Sequence, residues 1–150
     1  MISKIGNYIL KGMEIYFSVD NNKEIFKLPY IPPDIEISSP LDFETFETTS
    51  GKILTLIGEN GLKTLTIESF FPSKFYGWLG SVTLAPLCID FFERHRKKQL
   101  RIVIASLSIQ ENMECIITEF KYSKKHNGDI KYTLSIQEYI NPNKIGGNSA

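Results

Sequence analysis

A chain of 150 residues has single-domain length and can bury about 68–70% of its unfolded surface, enough for a real core. Its 42% hydrophobic and 23% charged residues exclude the compositions that stay disordered. Its 17 Lys+Arg against 17 Asp+Glu leave no summed field to draw it onto nucleic acid or an anionic membrane, so other proteins are the expected partners.

Period-two alternation dominates the chain. Gly12–Val19, the turn residues Asp20, Asn21 and Asn22, and Glu24–Leu28 predict a first hairpin. Leu28–Asp34 holds three prolines, which fix φ and bias their predecessors to extended backbone, so a stiff non-helical crossing is expected. Ile35–Ser38 reads as a short strand. Phe43–Thr48 and Ile53–Ile57 flank Ser50–Gly51 as a second strand pair, with Gly58–Gly61 expected as the turn into Lys63–Phe70. In that next strand Leu65 and Ile67 oppose Thr64, Thr66 and Glu68, the pattern of a sheet buried on one side, and Pro72 ends it.

One helix is predicted from about Pro86 to Lys98. Proline suits a first turn, Leu87/Phe91 and Cys88/Phe92 pair at i,i+4, and the basic run Arg94–Lys98 complements the dipole at the C-terminus. Leu100–Ala105 follows as a strand, then two longer strands around a turn at Asn127–Gly128. In the last of them Ile130, Tyr132, Leu134 and Ile136 share one face. Residues 141–150 have no period and read as a flexible tail after one β-rich domain of residues 1–140. The expected fold is α+β, mainly antiparallel, a barrel-like sheet with one amphipathic helix at about 86–98.

No pattern of catalytic or metal-binding residues emerges. Gly58–Gly61 lacks the Lys-Ser/Thr of a phosphate loop, and His95 and His126 have no nucleophile or metal partner at a defining spacing and read as solvated. Glu44/Glu47 and Glu111/Glu114 read as solvated strand faces, and Cys88 and Cys115 as small buried hydrophobes outside any zinc pattern. No apolar run is long enough to cross a membrane, and Met1–Tyr8 does not have the form of a secretory leader, so synthesis is expected to end in the cytoplasm. No catalytic residue, cofactor or metal is expected. The aromatic run Phe70–Leu79 is the more informative feature. Phe70 and Phe71 are expected in the core, whereas Phe75, Tyr76, Trp78 and Leu79, beside Gly77 and Gly80, are candidates for a protein interface. Ile31 and Pro32 in the stiff crossing join them.

The order of short motifs resembles a family. Leu28-Pro29-Tyr30-Ile31-Pro32-Pro33-Asp34-Ile35-Glu36-Ile37-Ser38 is similar to the opening of XkdP-like proteins, the LysM-bearing baseplate proteins of prophage tails. Gly51–Gly58, then Gly61–Pro72 with its Leu-Lys-Thr strand and Ser-Phe-Phe-Pro end, and Phe120–Tyr122 followed by Gly128–Tyr139 with its Glu-Tyr end, continue the likeness over about Leu28 to Tyr139. The resemblance implies a non-enzymatic, hub-proximal adapter in the baseplate of a contractile tail or phage-tail-like bacteriocin particle. Its partners would be hub, spike, tube-end and wedge proteins, with several copies arranged by the particle's symmetry, no nucleic acid and no membrane insertion. Such a chain would assemble into a particle released by lysis. Family members commonly continue into a LysM module past the Glu-Tyr end, which the stop at Ala150 leaves without a counterpart. A second reading is a cell-envelope module that binds peptidoglycan or glycan through Tyr76 and Trp78.

Overall fold

A computed structural model describes residues 13–32, 34–74 and 83–140. Among these residues nine strands and one helix follow in the order β1 (Met13–Val19), β2 (Glu24–Lys27), β3 (Glu36–Ser38), β4 (Leu41–Glu47), β5 (Ile53–Asn60), β6 (Thr64–Phe71), α1 (Ala85–Arg94), β7 (Leu100–Ser106), β8 (Glu111–Lys124) and β9 (Ile130–Glu138). Seven of the strands form one sheet in the order β2-β1-β7-β8-β9-β6-β3, with every pairing antiparallel, while among the described residues β4 and β5 pair only with each other. Among the described residues the fold is mainly antiparallel with a single helix, as the alternating sequence predicts.

Local chemistry sets these elements. The β1–β2 turn holds Asp20, Asn21 and Asn22 at φ of 50°, 55° and 69°, a left-handed run that Asn and Asp tolerate better than other side chains. In β8, Met113, Cys115 and Ile117 point inward, and then a bulge between Ile117 and Glu119 resets the phase so that Phe120 also points inward. Without that extra residue, Phe120 would face solvent.

The core lies on the inner face of the sheet. Ile15, Phe17, Leu65, Ile67, Phe71, Ile102, Cys115, Tyr132, Leu134 and Ile136 meet Ala85, Cys88, Phe91 and Phe92 from α1. Phe92 is the hub, with its ring centroid 5.2 Å from Phe17, 5.3 Å from Phe26 and Phe120, and 6.0 Å from Phe71. The Phe26 and Phe71 centroids are therefore no more than about 11 Å apart although their strands stand five places apart in the sheet, a separation of about 24 Å if it were flat. The sheet is strongly curled around its helix.

Curling does not make it a barrel. The edge strands β2 and β3 do not pair among the described residues, so the barrel-like expectation is corrected to an open, curled sheet. The proline crossing joins the two edges and covers part of the core. Its Leu28 is buried and donates its N–H to the Ile15 carbonyl at 3.0 Å, Ile31 and Ile35 pack on the core, and Tyr30 lies 4.7 Å from the Phe70 ring. Pro29 and Pro32, which carry no N–H, suit a span outside the sheet's ladders.

Three local expectations are also corrected. The helix stops at Arg94, not Lys98, because His95 leaves helical geometry at φ −108°, ψ 16° to start a turn that delivers the buried Leu100 to β7. Leu87 does not share the buried face with Phe91 and is exposed. Gly58–Asn60 is not a turn but the end of β5, where Gly58 faces the bulge between Leu41 and Phe43. The tail expected at residues 141–150 lies outside the described residues.

Candidate functional site

The β4–β5 hairpin stands apart from the core as an arm. All residues of both strands are exposed. Opposed pairs Phe43–Ile57, Thr45–Thr55 and Glu47–Ile53 make one face, and Glu44–Leu56 and Phe46–Leu54 make the other. Apolar side chains therefore sit on both faces: Phe43, Ile53 and Ile57 are 62%, 74% and 78% exposed, and Phe46, Leu54 and Leu56 are 44%, 44% and 56% exposed. A two-stranded hairpin is marginal in water, and exposed apolar patches of this kind are the surfaces that contacts between molecules use.

Glycine and proline shape both ends of the arm. At its tip Gly51 takes φ 84° and donates its N–H to the Thr48 carbonyl at 2.9 Å, while Thr48 donates to the Lys52 carbonyl at 2.8 Å. Near its root a Cβ on Gly58 would meet the Asp42 carbonyl oxygen at 2.8 Å, so only glycine fits beside the bulge. Gly61 donates to the Pro40 carbonyl at 2.9 Å and closes the root.

The titratable groups are arranged for structure. His95 is not solvated as the sequence suggests; it is buried, with its ring 4.8 Å from Phe91 and Nε2 3.1 Å from Glu24 Oε1. Arg94 grips the same Glu24 with two bonds of 3.1 and 2.7 Å and bonds Asp90 at 2.8 Å. The Arg94 bond, helped by His95, holds the Glu24 carboxyl down at about 2 against desolvation, and the Arg94 guanidinium is pushed up in turn. Glu111 and Glu114 are partly buried and paired, with Lys63 at 3.2 Å and Arg101 at 3.1 Å, so neither is a freely solvated face; Glu44 and Glu47 are exposed as expected. Burial pushes the Cys88 and Cys115 thiols up to about 12, which keeps them protonated and unreactive. An open cleft of about 520 Å³ lies beside the β7–β8 turn, lined by Val103, Ala105, Leu107 and Asn112. Its Ser106 hydroxyl is tied to the Ile109 carbonyl at 2.6 Å and accepts the Ile109 N–H at 2.8 Å. Among the described residues no cluster of three or more His, Cys, Asp or Glu converges, and no helix is long and apolar enough to cross a membrane.

Phe75, Tyr76, Trp78 and Leu79 lie outside the described residues. Ile31 is half-buried against the core and Pro32 is buried. Phe71 is fully buried as expected, and Phe70 is half-buried. Sequence reasoning missed the arm as a site, although its signal was present: Phe43–Ile57 alternates with apolar residues at both phases, which a one-side-buried strand would not do.

No family model matches the chain. It is 30% identical over 138 residues to an uncharacterized protein, YqbP, of Bacillus subtilis (strain 168), covering 86% of this chain and 62% of YqbP. It therefore spans less than two thirds of that relative. Among solved structures, it resembles a chain from the C6-symmetric tail of the empty gene transfer agent particle, with a TM-score of 0.56 at 14% identity over 87% of this chain and 93% of that one. It also resembles a chain from the six-fold symmetrised baseplate of the anti-feeding prophage, with a TM-score of 0.50 at 14% identity over 86% and 89% of the two chains. The class defined is one of fold: a curled antiparallel sheet packed on a helix, similar to chains of tail and baseplate particles.

Proposed function

We propose that this chain is a non-enzymatic structural component of a phage tail or phage-tail-like particle, placed as a hub-proximal adapter in the baseplate and repeated by the particle's rotational symmetry. One observation carries the reading: the β4–β5 arm leaves the core with apolar side chains exposed on both faces. A chain that worked alone would gain nothing from that exposure, whereas a neighbouring subunit covering both faces would gain burial of about 25 cal/mol per Å² of apolar surface. The fold shared with six-fold tail and baseplate particles supports the same reading. Hub, tube-end and wedge proteins are the proposed neighbours. Phe75, Tyr76, Trp78 and Leu79 are proposed as a second contact surface, whereas Ile31 and Pro32, packed against the chain's own core, are not part of it.

The test is made in a strain that produces the particle. Leu54→Asp with Ile57→Asp should leave the isolated chain's melting temperature nearly unchanged and remove finished baseplates from electron micrographs. Normal particles from that variant would refute the arm's role.

A further inference from the structure

The arm is acidic as well as apolar. Asp42, Glu44, Glu47 and Glu59 stand against a single Lys52, all of them exposed. The complementary charge lies on the β8–β9 hairpin, whose tip exposes Lys124, Lys125 and His126, with Lys121 and Lys131 on the adjoining strands. Of the acidic groups there, Asp129 is buried and accepts from the Ser73 N–H at 2.8 Å and hydroxyl at 2.9 Å, and Glu119 pairs with Lys121 at 3.4 Å. The Lys125 N–H bond to the Asp129 carbonyl at 2.7 Å and the Gly128 N–H bond to the Lys125 carbonyl at 3.0 Å fix the turn. A positive tip therefore projects outward on a defined backbone.

The topology puts the two charges at opposite ends of the molecule. β6 begins at Thr64, three residues past the arm's root at Gly61, and ends at Phe71, which pairs with Ile130 at the base of the tip. Its 8 residues separate arm root and tip base by about 24 Å along the strand. The arm thus stands beyond one end of the sheet and the basic tip beyond the other. Two complementary surfaces that face apart within one molecule can meet between molecules, and such a head-to-tail contact generates a ring or a filament.

We propose that the basic tip of the β8–β9 hairpin receives the acidic, apolar β4–β5 arm of a second copy of this chain, an inference that rests on the arm being an interface and adds what it docks against. Charge sets the orientation of the contact, and the apolar residues of the arm supply the burial.

The experiment is sedimentation velocity on the full chain at about 0.05 M salt, where surface charges are weakly screened. The wild type should associate as concentration rises. Lys124→Glu with Lys125→Glu should weaken association by roughly tenfold or more, as should Glu44→Lys with Glu47→Lys, while all four changes in one chain should restore it. A monomeric wild type, or a charge swap that restores nothing, would overturn the proposal. A Phe43→Ser, Ile57→Ser arm separates the two levels of argument. If that variant loses association while the tip reversal does not, the arm stands as an interface and the tip is not its receptor. If neither variant changes association, both readings fall. Titration with labelled duplex DNA is the control: DNA binding lost in the tip variant with self-association intact makes the tip a phosphate site and sinks the proposal.

Discussion

Phe92 and Glu24 show how much one residue joins in this fold. Phe92 touches rings from β1, β2, β6 and β8, so truncating it opens a cavity that no single strand can collapse to fill. Phe92→Ala should cost about 3–5 kcal/mol in urea-monitored unfolding; a loss under about 1 kcal/mol would mean that the ring is not the hub. Glu24 ties the edge strand β2 to the end of α1. Its carboxyl titrates at about 2 in the folded chain against 4.5 as a reference, so its contribution is present above pH 4.5 and is lost as pH falls toward 2. Glu24→Gln should therefore lower stability slightly at neutral pH and flatten its acid dependence between pH 4.5 and 2, as read from melts across that window. The pair is solvent-exposed, which keeps the effect small. None of this was legible locally. His95 reads as solvated because the basic run beside it looks like a helix end in water, and its partner Glu24 is 71 residues away in sequence.

At the scale of elements, periodicity located nearly every strand and missed what covers them. The alternation of Ile130 to Ile136 fixed both the strand and its buried face, since one phase is apolar and the other polar. The same rule applied to Phe43–Thr48 and Ile53–Ile57 predicts strands but cannot choose a buried face, because both phases are apolar; the structure buries neither. The helix boundary failed for a different reason. Arg94–Lys98 suits a helix C-terminus, but the need to bury Leu100 at the start of β7 turns the chain early. Because the arm contributes nothing to the core, replacing residues 41–60 by a short glycine-containing turn should change the chain's unfolding free energy by no more than about 0.5 kcal/mol, as for surface changes generally. A large loss in a thermal melt would show that the arm packs on the body of its own chain.

For the whole molecule, composition and alternation gave the fold class, whereas closure of the sheet was beyond them. Whether β2 and β3 meet depends on curvature, and curvature here comes from one helix whose Phe91 and Phe92 draw in rings from distant strands. The result is an open cylinder with distinct ends. The β6–α1 connection leaves from Lys74 at the end that carries the β8–β9 tip, where Ser73 is bonded to Asp129. Trp78 lies in that connection and is the only tryptophan of the chain, so its fluorescence reports on this segment alone. As an interface anchor, Trp78 should emit as a solvated indole in the dilute monomer and shift to the blue on assembly. Trp78→Ala should leave the melting temperature nearly unchanged and block particle formation, since losing an anchor costs about 2 kcal/mol or more of binding. Blue-shifted emission already in the monomer, together with a destabilisation of about 3–5 kcal/mol in the variant, would place the ring in the core and remove it from the contact surface.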